Sequence, residues 1–265
     1  MTAGDDAGPR VVSGRDGGVF TIRLNRPAKR NAADVRMLQE LALAYGEFAR
    51  DPDARVAVVS AEGDHFTGGL DLADVGPRLG DGPDLVPEGG VDPWQLSGPA
   101  LDKPVVVAVQ GTCLTLGVEL ILAADVTIAA DSTRFGQIEV SRAILPFGGA
   151  TLRFPAAVGW GNAMRWMLTG DRFDAAEALR LGLVQEVVPH GSQLDRAMDL
   201  AQRIAAQAPL AVQATLANAK LARTAGAAAA AAALPGELAR LTRSEDAGIG
   251  MTAFLTRTAP NYLGR

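Results

Sequence analysis

PVVVAVQGTCLTLGVELILAAD, residues 104–125, decides how this chain reads. The β-branched run VVVAV at 105–109 follows Pro104 and predicts a strand, and the chain then passes Gly111 into a helix starting near Gly117. Between Lys103 and Asp125 the only charged residue is Glu119. A carboxylate with so many apolar neighbours is expected to be at least half buried, and burial without a partner is costly enough to raise its pKa. Glu119 is therefore a candidate proton-transfer group. A carboxylate near a helix start also complements the dipole and the orphan N–H groups there, so a purely structural role fits the local sequence as well.

Working outward, VFTIRL at 19–24 and VAVVS at 56–60 read as further strands. Helices are predicted at 34–50 with Asp34 as N-cap, and at 117–124, 161–169, 174–181 and 192–207. Strands alternating with helices imply a layered α/β core. Residues 76–99, rich in Gly and Pro, interrupt the pattern as a long loop with a short helix near Trp94, and such loops often flank a site. AGAAAAAAA at 225–233 is a strong helix former with a structural role. The tail AFLTRTAPNYLGR carries Phe254 and Tyr262, aromatics suited to packing on another subunit.

Composition narrows the chemistry. The 265 residues are 48% hydrophobic, ample for a packed core, and the net charge of −5 comes from interspersed acids and bases, which argues against a nucleic-acid partner. One cysteine, Cys113, excludes an internal disulfide, and two distant histidines, His65 and His190, make a histidine-rich metal site improbable. The start MTAGDDAGPR lacks a signal-peptide pattern, and no stretch of about 18 apolar residues could span a bilayer, so a cytoplasmic location is expected. No G-x-S-x-G elbow or G-x-x-x-x-G-K-[ST] loop occurs, and the partial glycine pattern at Gly159 and Gly161 meets Met164 where a third glycine belongs.

Two strand exits offer backbone donors. In HFTGGLDL, 65–72, paired glycines let the chain turn sharply and aim N–H groups at one point. In QGTCLTLGVEL the exit of VVVAV runs into a helix N-terminus, whose free N–H groups favour a developing negative oxygen. The pair could form one oxyanion hole beside Glu119. A third segment, FGQIEVSRAILPFGGATLRF at 135–154, carries Glu139. The helix, the strand-like VTIAA and the turn DSTRF between them can return that carboxylate to the same sheet end, or Glu139 can be an ordinary loop charge paired with Arg142.

Together these segments resemble the crotonase superfamily, and most closely its enoyl-CoA hydratases. LNRPAKRNA at 24–32 resembles the opening motif, HFTGGLDL the first oxyanion segment, QGTCLTLGVELILAAD the second, FGQIEVSRAILPFGGAT the second catalytic segment and SEDAGIGMTAFLTR the tail. The resemblance implies an α/β spiral of repeated ββα units over 10–191, preceded by a disordered 1–9 and followed by a helical oligomerisation region at 192–265 that forms a trimer or a dimer of trimers. It implies an acyl-CoA thioester substrate and no metal or redox cofactor. By the same resemblance the N–H groups of Leu70 and Leu116 hold the thioester oxygen, Glu119 acts on water, and Glu139 supplies the Cα proton. Lys29, Arg30, Phe254 and Arg257, the last from a neighbouring subunit, are implied to contact CoA, and Asp71 is expected to be a structural cap. The chain departs from the family in reading Thr115, Leu116, Gly117 where three glycines are usual, and in placing Leu70 where a small residue is usual. A Δ3,Δ2-enoyl-CoA isomerase and a catalytically silent acyl-CoA-binding protein are the rival readings.

Overall fold

Valines decide the layering of this chain. In the computed structural model, which describes residues 8–77 and 85–265, strand β4 (Val105–Val109) is buried along its whole length. Val105, Val107 and Val109 belong to the main core, while Val106 and Ala108 belong to a second cluster with Ala197 and Ala201 of helix α7 (Gln193–Ala205). This period-2 split is what a parallel strand covered on both faces requires. β3 (Val56–Ala61) divides the same way, with Ala57 and Val59 on one side and Val56 and Val58 on the other.

β1 (Val11–Asp16) and β2 (Val19–Leu24) form an antiparallel hairpin at one edge, and β3, β4, β6 (Val126–Ala130) and β9 (Glu186–Val188) continue in parallel, giving the six-stranded order β1-β2-β3-β4-β6-β9. Parallel neighbours need crossovers, and between β2 and β3 the crossover contains α1 (Val35–Arg50). Asp34 caps α1 by accepting from the Met37 N–H at 2.8 Å, and Met37, Leu38, Leu41, Tyr45 and Phe48 form its buried stripe. Truncating Phe48, fully buried beside Phe20, would cost about 3–5 kcal/mol.

A second, three-stranded sheet pairs β5 (Thr112–Leu114), β7 (Arg134–Gly136) and β8 (Arg172–Asp174). β4 bends at Gly111 into β5 and then into α3 (Leu116–Ala123), while β6 turns into β7 and then into a 3-10 turn at Glu139–Arg142. β3 passes likewise through Thr67, which bridges Cys113 in parallel, into the short α2 (Leu72–Val75). Each turn of this spiral is a strand in the large sheet, a strand or bridge in the small one, then a helical segment. The remaining helices are α4 (Ala150–Val158), α5 (Trp160–Thr169), α6 (Ala175–Leu181), α8 (Pro209–Ala225), α9 (Ala227–Leu241) and α10 (Glu245–Thr256).

Several expectations are corrected. The segment near Trp94 is not a helix but a turn organised by Asp92, whose oxygens accept from the N–H groups of Trp94, Leu96 and Ser97 at 2.8–2.9 Å. The alanine-rich run is broken at Gly226, φ 88°, between α8 and α9, because a left-handed residue cannot continue a helix. β1, β5, β7, β8 and β9 went unread, being short or polar. Residues 1–7 of the expected disordered start, and 78–84 within the long loop, lie outside the described residues. No helix among the described residues is long and apolar enough to cross a membrane.

Candidate active site

The register of the small sheet brings the site together. Thr67 bridges Cys113, and Cys113 pairs with Phe135, so these three residues form one row across adjacent segments about 4.8 Å apart. Three residues further along each segment stand Leu70, Leu116 and Ile138, with Glu139 next. Equivalent exits of consecutive spiral turns thus converge at one end of the sheet.

The two donor segments are tied directly, Thr67 N–H donating to Thr112 O at 2.9 Å and Leu114 N–H to Thr67 O at 3.1 Å. Ala33 N–H donates to Gly69 O and Asp71 N–H to Ala33 O, and the Leu70 N–H between them donates to no backbone acceptor among the described residues. Leu116 is the first residue of α3, where an N–H has no acceptor within the helix. Gly69, φ 100°, makes this approach possible, since a side chain there would overlap Thr115 Oγ1.

Glu119 lies one turn into α3 and is buried. Burial raises its pKa, while the backbone N–H groups of Ala150 and Gly148 and the charge of Arg153 oppose the rise. The Ala150 N–H donates to Glu119 Oε1 at 3.1 Å, at the first turn of α4. Gly148 fits because a Cβ there would stand 2.5 Å from Glu119 Oε2.

Glu139, on the 3-10 turn, is also buried, and its Oε2 meets no hydrogen-bond partner among the described residues. Burial pushes its pKa up to about 7 with the charge of Glu119 adding to the rise, against a lowering hydrogen bond from its own backbone N–H. The loop-charge reading of Glu139 fails on this burial, and Arg142 donates to the Ser141 carbonyl instead.

Both carboxylates border one cavity of about 230 Å³, together with Leu70, Thr115, Leu116 and Phe147. A second cavity of about 370 Å³ shares Leu70, Leu116, Glu119 and Phe147 and extends between Leu38, Val75, Trp94 and Leu96. The second space is mainly apolar. The leucines that depart from the usual small residues therefore border both spaces. The smaller cavity thus brings two buried carboxyl groups next to free N–H donors.

The other expected site residues fall in different places. Lys29 and Arg30 are exposed, and the Arg30 carbonyl accepts from Gly68 N–H at 2.8 Å, which sets Arg30 beside the first donor segment. Phe254 is 79% exposed on α10, and Arg257 caps the end of that helix in the left-handed conformation. Tyr262 is partly covered by its own chain, against Gly250. Asp71 does precede α2 but makes no side-chain cap bond; it pairs with Arg26 at 2.8 Å. His65 Nδ1 accepts from Thr112 N–H, and burial pushes the Cys113 thiol up, so neither is poised for chemistry. Among the described residues no group of three or more His, Cys, Asp or Glu side chains could hold a metal.

Sequence reasoning missed Gly148, Ala150 and Arg153, although all lie in the segment quoted for Glu139. It also missed the Trp94 indole, which donates to Leu116 O at 3.1 Å. The signal available for Trp94 was a single aromatic in a loop of glycine and proline.

Known proteins bear on this geometry. The family model for enoyl-CoA hydratase/isomerase matches residues 14–265. Enoyl-CoA hydratase EchA19 of Mycobacterium tuberculosis is 31% identical, the match covering 98% of each chain. Carnitinyl-CoA dehydratase of Escherichia coli is 36% identical over 201 residues, 76% of each chain. A crystal structure titled "probable enoyl-CoA hydratase/isomerase" from Mycobacterium abscessus superposes with a TM-score of 0.94 at 56% identity, covering 97% of this chain and 99% of that one. With the match running through every segment that builds the cavity, the chain belongs to the enoyl-CoA hydratase/isomerase family of the crotonase superfamily.

Proposed function

We propose that this protein is an enoyl-CoA hydratase, adding water across the double bond of a 2-enoyl-CoA thioester to give a 3-hydroxyacyl-CoA. The observation that carries the reading is the pairing of two differently held carboxylates, Glu119 and Glu139, on one cavity beside the Leu70 and Leu116 donors. Hydration needs a base for water at Cβ, an acid for Cα, and donors for the negative charge that develops on the thioester oxygen. Glu119, its pKa raised by burial and its carboxyl group oriented by the Ala150 N–H, takes a proton from the water as the C–O bond forms at Cβ. The thioester becomes an enolate, held by the Leu70 and Leu116 N–H groups. Glu139, part protonated near neutral pH, delivers its proton to Cα and the carbonyl reforms. The pair exchanges roles in dehydration, and its titration belongs to both groups.

CoA, as part of the substrate, requires no further cofactor in this scheme. Lys29 and Arg30, both exposed, are the cations proposed to pair with its phosphates. Phe254 and Arg257, exposed on α10, serve a neighbouring subunit's CoA in a trimer or dimer of trimers, whose contacts would cover Leu234, Leu238, Met251 and Leu255 as well.

Loss of the enoyl-thioester ultraviolet absorbance when the protein meets crotonyl-CoA tests the reading. Turnover that yields 3-hydroxybutyryl-CoA supports it. Conversion of a 3-enoyl-CoA to its 2-enoyl isomer without hydration would replace it with an isomerase, and thioester binding without turnover across chain lengths would replace it with a silent acyl-CoA-binding protein.

A further inference from the structure

Thr115 carries two costs at the junction of the donor segments, and a glycine there would carry neither. Its backbone stands at φ 50° and ψ −116°, a region that a Cβ disfavours. Its Oγ1 is buried without a hydrogen-bond partner among the described residues. A threonine ahead of a helix ordinarily spends its hydroxyl on the first turn, yet no side-chain cap bond forms at α3. Orphaned buried polar groups are rare enough to call for an explanation.

The contact this side chain makes gives a reason for the side chain, by its shape, to be kept. Its backbone is held on both sides, the N–H donating to Gly136 O at 2.8 Å and the carbonyl accepting from Glu119 N–H at 3.0 Å. The side chain lies over Gly69, where an added Cβ would overlap Oγ1 and stand 3.5 Å from Thr115 Cβ and 3.6 Å from Cγ2. Gly69 precedes Leu70 and Thr115 precedes Leu116, so the two residues in contact belong to the very peptides that carry the two N–H donors.

We infer that Thr115 is a positioning residue of the oxyanion hole: its side chain, wedged against Gly69, sets the gap between the Leu70 and Leu116 N–H groups. The inference rests on the hydratase reading above. A wedge acts by shape, so the unpartnered hydroxyl is incidental and an isosteric valine serves as well. Glycine relaxes the backbone and removes the orphan, and in doing so lets the donors drift.

The test compares wild type, Thr115→Val, Thr115→Ala and Thr115→Gly by two readouts. The first is a cinnamoyl-CoA bearing an electron-donating ring substituent, whose absorbance moves to the red as hydrogen bonds polarise its carbonyl. Wild type and Thr115→Val are expected to give the same red shift at saturation, and Thr115→Gly about half of it or less, one of two donors having lost its alignment. The second readout is crotonyl-CoA hydration, where Thr115→Gly is expected to lose about tenfold in kcat with KM nearly unchanged. The same variant should melt higher by about 2 °C. Thr115→Ala, which keeps Cβ but not the branch, should fall between and carries the comparison if Thr115→Gly does not fold. A red shift and kcat unchanged in Thr115→Gly or Thr115→Ala would overturn the wedge and leave the hydratase reading standing, as would loss of both in Thr115→Val. A wild type that neither shifts the chromophore nor hydrates crotonyl-CoA would overturn the hydratase reading, and the wedge with it.

Discussion

Glu119 and Glu139 border the same cavity, but the regions that hold them differ. Glu119 sits on a regular helix with Ala150 N–H on one oxygen, Gly148 against the other and Arg153 nearby. Glu139 sits on a single 3-10 turn with one oxygen unpartnered, facing the charge of Glu119. Burial raises both carboxyl groups, but hydrogen bonds and the Arg153 charge oppose the rise at Glu119, whereas a second negative charge adds to it at Glu139. The two residues thus share one shift and differ in what works with or against it.

The largest expected effect comes from removing either partner. Glu119→Gln and Glu139→Gln should each lower kcat for hydration by about 10²-fold or more while thioester affinity persists. Near-normal turnover in either variant would remove that residue from the comparison. Leu116→Pro, which deletes one donor, should cost about 3 kcal/mol of transition-state stabilisation, read as a fall in kcat/KM, provided circular dichroism shows the native fold.

Stability should respond to the Glu139 shift as well. The folded pKa of Glu139, about 7, lies above its ordinary value, so its contribution is fully present below about pH 4 and is lost as pH rises through 7. At pH 8 the charged, buried form is a liability, and Glu139→Gln should raise unfolding free energy by roughly 2 kcal/mol, with no gain at pH 4. Denaturant titrations at the two pH values check this, and an equal effect at both would show that Glu139 is not perturbed.

Smaller effects sharpen the account of each setting. Gly148→Ala, by crowding Glu119 Oε2, should lower kcat about tenfold through misplacement of the base, with little change in Tm. Leu116→Gly keeps the donor and should change the preference among enoyl chain lengths more than turnover of crotonyl-CoA, since Leu116 borders both cavities. Identical chain-length profiles would show that its side chain does not limit the acyl space.

Much of this was legible in the sequence, because the features that mark a parallel core are local. VVVAV announced β4, Asp34 announced the start of α1, and the isolation of Glu119 among apolar residues announced its burial. β5 and β7 were not legible, being three-residue strands whose pairing depends on the spiral rather than on their own propensity. The turn at Trp94 was misread for a local reason, since one carboxylate, Asp92, gathers three N–H groups that a helix would otherwise have used. The setting of Glu119 was hidden because Gly148, Ala150 and Arg153 approach it from 29 to 34 residues away, and the Thr115 contact with Gly69 spans more than forty.

The pH dependence of kcat/KM for crotonyl-CoA hydration, measured for wild type and for the residual activity of Glu139→Gln, tests the assignment of roles most directly. With Glu139 as the acid, wild-type kcat/KM should fall as pH rises through about 7, because the proton-bearing form is lost, and that limb should vanish in Glu139→Gln. A wild-type profile that is flat across this range, or a falling limb that survives in Glu139→Gln, would contradict the account.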